Sequence, residues 1–161
     1  MASKFEKEVE IKTPALVFYK IFKSQCHHIP NLSPEKIHTI HVHEGDWESA
    51  GSVKHWKYNL GGDAQIFQEK VEVDDEKKAV TFIAVGGHIL EQYKSYKGTF
   101  KVTPKGDDQL GGLVTITLEY EKIKEDDHDP IENYMDFLVS LVEDIDANLV
   151  KTGTEILEKT G

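Results

Sequence analysis

Apolar and polar residues alternate along most of this chain, and one long segment breaks the alternation. From Pro130 to Lys151 the apolar positions Ile131, Tyr134, Met135, Leu138, Leu141, Val142, Ile145 and Leu149 recur every three or four residues. That spacing puts them on one face of a helix. Asp129 and Pro130 supply an N-cap and a proline at the first helical position. At 1.5 Å per residue the helix runs about 33 Å, enough to cross a small domain. Upstream, Phe5, Lys7, Val9 and Ile11 alternate with Glu6, Glu8, Glu10 and Lys12, which predicts a strand over 4–12. Thr13-Pro14 opens a short helix over 15–24 with Leu16, Phe18, Tyr19 and Phe22 on its apolar side. His27, His28, Pro30 and Pro34 break it around a second short helical turn. Six more strands are predicted at 37–43, 52–60, 64–73, 79–85, 88–103 and 113–122. The order is one strand, one or two short helices, six strands and a long helix, which describes an α+β domain with an antiparallel sheet. One long helix laid over one curved sheet leaves space between them.

Turn signals set the registers and show which face is inside. A tight turn at Gly61-Gly62 opposes Trp56 to Phe67, Tyr58 to Gln65 and Lys54 to Glu69. Trp56, Tyr58 and Leu60 mark that face as interior, so Lys54 and Glu69 point inward together. A turn at Asp75-Glu76 opposes Glu69 to Phe82, Phe67 to Ala84 and Val71 to Val80. A third at Gly86-Gly87 opposes Glu91 to Phe82 and Tyr93 to Val80, with Ser95 on the same side. Phe100 and Val102 then need the opposite parity, which a bulge near Gly98 supplies. The predicted interior is aromatic and aliphatic with a few polar groups: Lys54, Tyr58, Glu69, Glu91, Tyr93 and Ser95. That mix fits a ligand pocket. The alternative is that Lys54 and Glu69 pair near the rim and reach water.

Length and composition narrow the classes. The 161 residues suit one domain spanning 1–161, and 39% hydrophobic with 30% charged residues is an ordinary soluble profile. No apolar run approaches the ~18 residues that would span a membrane. The opening MASKFEKEVEIK has the pattern of neither a signal nor a transit peptide. Cys26 is the single cysteine, so no internal disulfide forms and a reducing compartment, the cytoplasm, is expected. The formal net charge is −10, and all 19 basic side chains are lysine. Phosphate and base recognition lean on arginine forks, so a nucleic-acid partner is disfavoured. The acids Glu125, Asp126, Asp127, Asp129, Glu143, Asp144 and Asp146 read as a solvated helix face.

Three blocks, HEGDWESAGSVKHWKY (43–58), KIFKSQCHHIPNLSP (20–34) and DPIENYMDFLVSLVEDIDANL (129–149), resemble the plant major latex proteins. These belong to the birch-pollen-allergen superfamily, alongside the pathogenesis-related class-ten proteins. The resemblance implies the helix-grip fold: a seven-stranded antiparallel sheet, two short helices and a long C-terminal helix around a hydrophobic cavity. It also implies binding or carriage of a small hydrophobic or amphiphilic metabolite or hormone. Some relatives are cofactor-independent enzymes that cyclise or isomerise terpenoid (for example iridoid) or alkaloid intermediates, and that is the alternative here. VGGHILEQYKS (85–95) looks like the latch strand of the abscisic-acid receptors, but NLGGDAQ stands where those receptors carry a Ser-Gly-Leu-Pro-Ala gate. Gly45 and Gly51 keep part of the superfamily's glycine loop, with Trp47 and Glu48 replacing glycines between them.

The expected ligand-binding set is Lys54, Trp56, Tyr58, Phe67, Glu69, Phe82, Glu91, Tyr93, Ser95, Tyr134, Met135, Leu138 and Val142. If the chain is an enzyme, the acid–base candidates are Lys54, Glu69, Tyr93 and His88. His88 stands just past a glycine turn and reads either as a latch at the cavity mouth or as an exposed turn residue. His27, His28, His38, His41 and His43 lack a metal-ligand motif, so neither a metal nor a cofactor is expected. A monomer or weak homodimer is expected.

Overall fold

In a computed structural model of the chain, residues 3–47, 51–60, 63–105, 111–123 and 131–152 are described. The expected Asp129–Pro130 cap, the Gly61-Gly62 turn, Glu48, the acids at 125–127 and the tail from 153 lie outside them. The elements run β1 (Ser3–Ile11), α1 (Ala15–Lys23), a 3-10 turn (Cys26–His28), α2 (Ile29–Leu32), β2 (Ile37–Glu44), β3 (Val53–Leu60) and β4 (Asp63–Asp74). They continue through β5 (Ala79–Gly87), a second 3-10 turn (His88–Glu91), β6 (Tyr93–Pro104), β7 (Gly112–Lys122) and α3 (Ile131–Thr152). The strands form one seven-stranded antiparallel sheet in the order β1-β7-β6-β5-β4-β3-β2. The short helices carry the chain from one sheet edge to the other. This is the helix-grip architecture.

Alternation decides which face is covered. On β7, Val114, Ile116 and Leu118 are fully buried and the residues between them are half-buried. The α3 stripe is buried at Ile131, Tyr134, Met135, Leu141, Val142, Ile145 and Leu149, with Leu138 half-buried. Phe18, Ile21 and Phe22 of α1 face the sheet, and Phe22 stacks on Phe100 at 4.5 Å. Leu16 is a correction to the expected apolar side: it is 53% exposed. Two helical positions before Phe18 means about 200° of rotation, so it lies on the far side.

The acids of α3 are more than a solvated face. Glu143 is exposed, but the Asp146 carboxylate accepts from the Lys12 N–H (3.0 Å), the Thr13 N–H (2.9 Å) and the Thr13 hydroxyl (2.6 Å). Asp144 accepts from the Ser33 hydroxyl and pairs with Lys36, while the Asn148 amide donates to the Leu32 carbonyl. These bonds fix α3 against the start of α1 and the end of α2. Asp146→Ala is expected to lower unfolding free energy by about 1–3 kcal/mol, since it orphans a cluster of backbone donors. A urea midpoint equal to that of the unmutated chain would remove this role.

Two expected registers are corrected. β4 and β5 pair Glu69 with Ala84 and Val71 with Phe82, not with Phe82 and Val80. The connection is longer than a two-residue tip: Asp74 pairs with Ala79, Lys78 takes φ +56°, and the Asp74 carboxylate accepts from the Lys77 N–H. A slip of two residues keeps every side chain on its expected face. A bulge between Gln68 and Glu69 then brings Phe67 opposite Gly87 instead of Ala84. Gly86-Gly87 is no hairpin tip either. The chain leaves β5 through the His88–Glu91 turn, and β6 pairs Phe82 with Gly98 and Val80 with Phe100. The parity break sits between Tyr93 and Ser95, not near Gly98.

Candidate functional site

Side chains of β3, β4, β5 and β6 and of α3 line a partly open cavity, with Phe22 of α1 and Ile37 of β2 in its wall. About 80 Å³ of it is open to the centre of a water-sized sphere. At ~10–15 Å³ of such volume per water, that is room for roughly half a dozen waters or one compact molecule. Of the expected set, Trp56, Tyr58, Phe67, Glu69, Phe82, Tyr134 and Leu138 line it. The β3–β4 register is the one the sequence predicts, Lys54–Glu69, Trp56–Phe67 and Tyr58–Gln65, and it aims these residues inward.

The rest of the expected set is placed elsewhere. Glu91 lies in the second 3-10 turn and is exposed, as is Ser95 beyond the β6 bulge. Tyr93 is buried, but its ring packs among Tyr96, Tyr120 and Tyr134 instead of lining the space. Met135 and Val142 are fully buried in the seam under α3 without lining the cavity. Lys54 is fully buried and pairs across the strands with Glu69, but it does not line the cavity. The Nδ1 of His88 accepts a 2.9 Å hydrogen bond from the Ile66 N–H, so this half-buried side chain holds its turn against β4. The preceding Gly87 has φ +102°, and a Cβ there would collide with the Ile66 carbonyl oxygen, so glycine is required for this close approach.

Several lining residues were missed. Tyr96 and Gly98 line the cavity because the β6 bulge moves the inward parity one residue on, and Phe100, whose inward face the sequence predicts, lines it with them. Phe22, Ile37 and Ile89 come from segments whose inward face the strand registers do not set, and Phe137 and Leu141 from α3. Leu141 and Phe22 carried the signal, being on their helices' apolar stripes. Phe137 did not, because it lies one position off the stripe, against the ring of Tyr58 at 5.4 Å.

The polar groups in this apolar space form one electrostatic cluster. Glu69 Oε1 accepts from the Trp56 indole N–H at 2.5 Å. Burial pushes the Glu69 carboxyl up to about 8, against the opposing pull of the Trp56 bond and the Lys54 charge. The Tyr96 hydroxyl is held well above the usual phenol range by burial, then by Tyr58, Tyr134 and Glu69. Burial and Tyr134 raise Tyr58, and burial and Glu91 raise Tyr134. At neutral pH these groups are protonated donors. Cys26 is buried, donates to the Phe22 carbonyl, and is pushed up to about 12 by burial, so its thiol is unreactive. Elsewhere, His41 stacks on His55 at 4.8 Å across β2 and β3. Among the described residues no group of three or more His, Cys, Asp or Glu is arranged to hold a metal, and no helix is long and apolar enough to cross a membrane.

A seven-stranded sheet gripping a long helix over an aromatic cavity defines a class, and the comparisons with known proteins give its family. The profile of the Pathogenesis-related protein Bet v 1 family matches residues 1–152, and the chain belongs to that family. It is 39% identical over 151 residues to MLP-like protein 43 of Arabidopsis thaliana, covering 93% of this chain and 94% of that protein. The crystal structure of ginseng major latex-like protein 151 from Panax ginseng superposes with TM-score 0.86 at 38% identity, covering 92% of this chain and 97% of that one. Norcoclaurine synthase from Thalictrum flavum, in complex with dopamine and hydroxybenzaldehyde, shares the fold at 19% identity and TM-score 0.64, covering 88% of this chain and 87% of that one.

Proposed function

We propose that this chain binds a compact, largely apolar metabolite carrying one or two oxygen atoms, and holds it in the cavity between the sheet and α3. The observation that supports this most is a cavity whose surface is almost wholly hydrocarbon, with Glu69, Tyr58, Tyr96 and Tyr134 among the residues that line it. Apolar walls supply most of the binding free energy, and a few polar groups fix orientation. With Glu69 as the neutral acid and three phenols beside it, the cluster donates hydrogen bonds to a carbonyl, ether or hydroxyl oxygen. The volume favours a molecule of one or two rings, and a larger one requires α3 or the His88 turn to shift.

Tyr96→Phe tests the polar cluster. It keeps the ring and removes the hydroxyl, so affinity for an oxygen-bearing ligand is expected to fall about threefold to tenfold. Affinity for the matching hydrocarbon stays, as read by calorimetric titration. Equal loss for both ligands would mean that the hydroxyl plays no part.

A second reading has its own support. A buried carboxyl that keeps its proton near neutrality, facing an apolar space, is suited to act as a general acid in a cofactor-independent cyclisation or isomerisation. Glu69→Gln is then expected to retain binding and lose turnover. Full turnover by the Gln variant would exclude that role.

A further inference from the structure

Among residues that do not line the cavity is a second group of buried polar atoms that the binding reading does not use. Lys54 is fully buried, and its ammonium has no hydrogen-bond partner among the described residues. The Nδ1 of His27 is also buried and without a partner there. Trp47 is close to both: its ring is 5.9 Å from Lys54 Nζ and 5.0 Å from the His27 ring. Lys54 is near enough to act on His27, which burial first and the Lys54 charge second hold toward the neutral form. Three groups from separate elements therefore meet here: the Cys26–His28 turn, the loop between β2 and β3, and β3 itself.

The deficit at this point is specific. A buried ammonium needs acceptors and a counter-charge, and without them its burial is strongly unfavourable. Glu69 stands opposite Lys54 on β4, but its Oε1 is taken by Trp56 and burial favours its neutral form. Trp47 offers the cation a π face and no acceptor. A carboxylate would meet both needs. One oxygen accepts from Lys54, the other from His27 in the tautomer with its proton on Nδ1, and the charges cancel. One ammonium and one imidazole match a planar monovalent anion, whereas a phosphate calls for more donors or an arginine fork.

We propose that Lys54 and His27, next to Trp47, form a carboxylate-binding subsite beside the apolar cavity. It takes either a free small carboxylate or the acid head of an amphiphile whose tail lies in the cavity. The first form is independent of the binding reading given above, and the second rests on it.

The test titrates the full chain with acetate, octanoate and 1-octanol, following the His27 ring signals by nitrogen-15 NMR and affinity by calorimetry. Octanoate is expected to bind about tenfold or more tighter than 1-octanol. That preference should vanish in Lys54→Met and shrink in His27→Phe. A saturable shift of the His27 signals by acetate alone identifies the free anion as the ligand. A shift by octanoate but not acetate identifies the amphiphile. Equal affinity for octanoate and octanol, with His27 signals unmoved by either carboxylate, overturns the proposal. In that case octanol binding shows that the cavity reading survives, and its absence shows that it fails too. Should Lys54→Met not fold, the unmutated comparison and His27→Phe still decide the matter.

Discussion

Leu141→Trp is expected to abolish saturable ligand binding, weakening it about a hundredfold or more, while leaving the thermal midpoint unchanged or raised. Leu141 is buried on α3 and lines the cavity, so an indole there occupies the space a ligand would take. Filling a void recovers packing that an empty cavity forgoes, which is why stability should hold. Overpacking is the competing effect. Leu138→Trp is the companion variant, because Leu138 also lines the cavity but is half-buried and has room to adjust. If both variants fold and bind as tightly as the unmutated chain, the ligand sits elsewhere.

The second large effect is on stability against pH. Glu69 titrates from 4.5 when unperturbed to about 8 in the folded chain. A group whose folded value is raised contributes stability fully below its unfolded value and loses it as pH rises through the folded one. Between pH 4.5 and about 8 the unfolded chain has released this proton and the folded chain still holds it. Unfolding therefore becomes easier as pH rises, by an amount on the order of a few kcal/mol across the window. Glu69→Gln removes the titrating group and keeps an acceptor for the Trp56 N–H. Denaturant unfolding of both chains at several pH values should show the unmutated chain losing stability relative to Glu69→Gln across that window. Parallel curves, or a relative gain, would mean that Glu69 is charged in the folded state. The same proton is what lets Glu69 donate to a ligand oxygen.

The β3–β4 pairing was legible because its turn signal and its aromatic face agree. Trp56, Tyr58 and Phe67 share one face, the Gly61-Gly62 signal in the sequence selects the register among those of that parity, and that register carries Lys54 and Glu69 inward with them. The slip at Asp74–Lys78 was not legible, since loop length depends on Lys78 adopting a left-handed backbone that nothing in its identity announces. It did no harm to the site, as two residues preserve parity. The β6 bulge did matter. Sequence parity put one near Gly98, after Ser95, and its true place next to Tyr93 exchanges Ser95 for Tyr96 as the inward polar residue. Lys54 illustrates a different limit. Alternation puts it inside, but only side-chain packing decides that its ammonium lies near Trp47 and does not line the cavity. Phe22 and Phe137 come from elements packed across the sheet, and strand registers carry no information about them.

The most direct test of the binding account is native mass spectrometry of the intact chain after incubation with an extract of plant small molecules, run beside Leu141→Trp. The account predicts a one-to-one complex with a compact, oxygen-bearing apolar compound, present on the unmutated chain and missing from the variant. A chain that retains nothing, or a compound retained equally by Leu141→Trp, would contradict it.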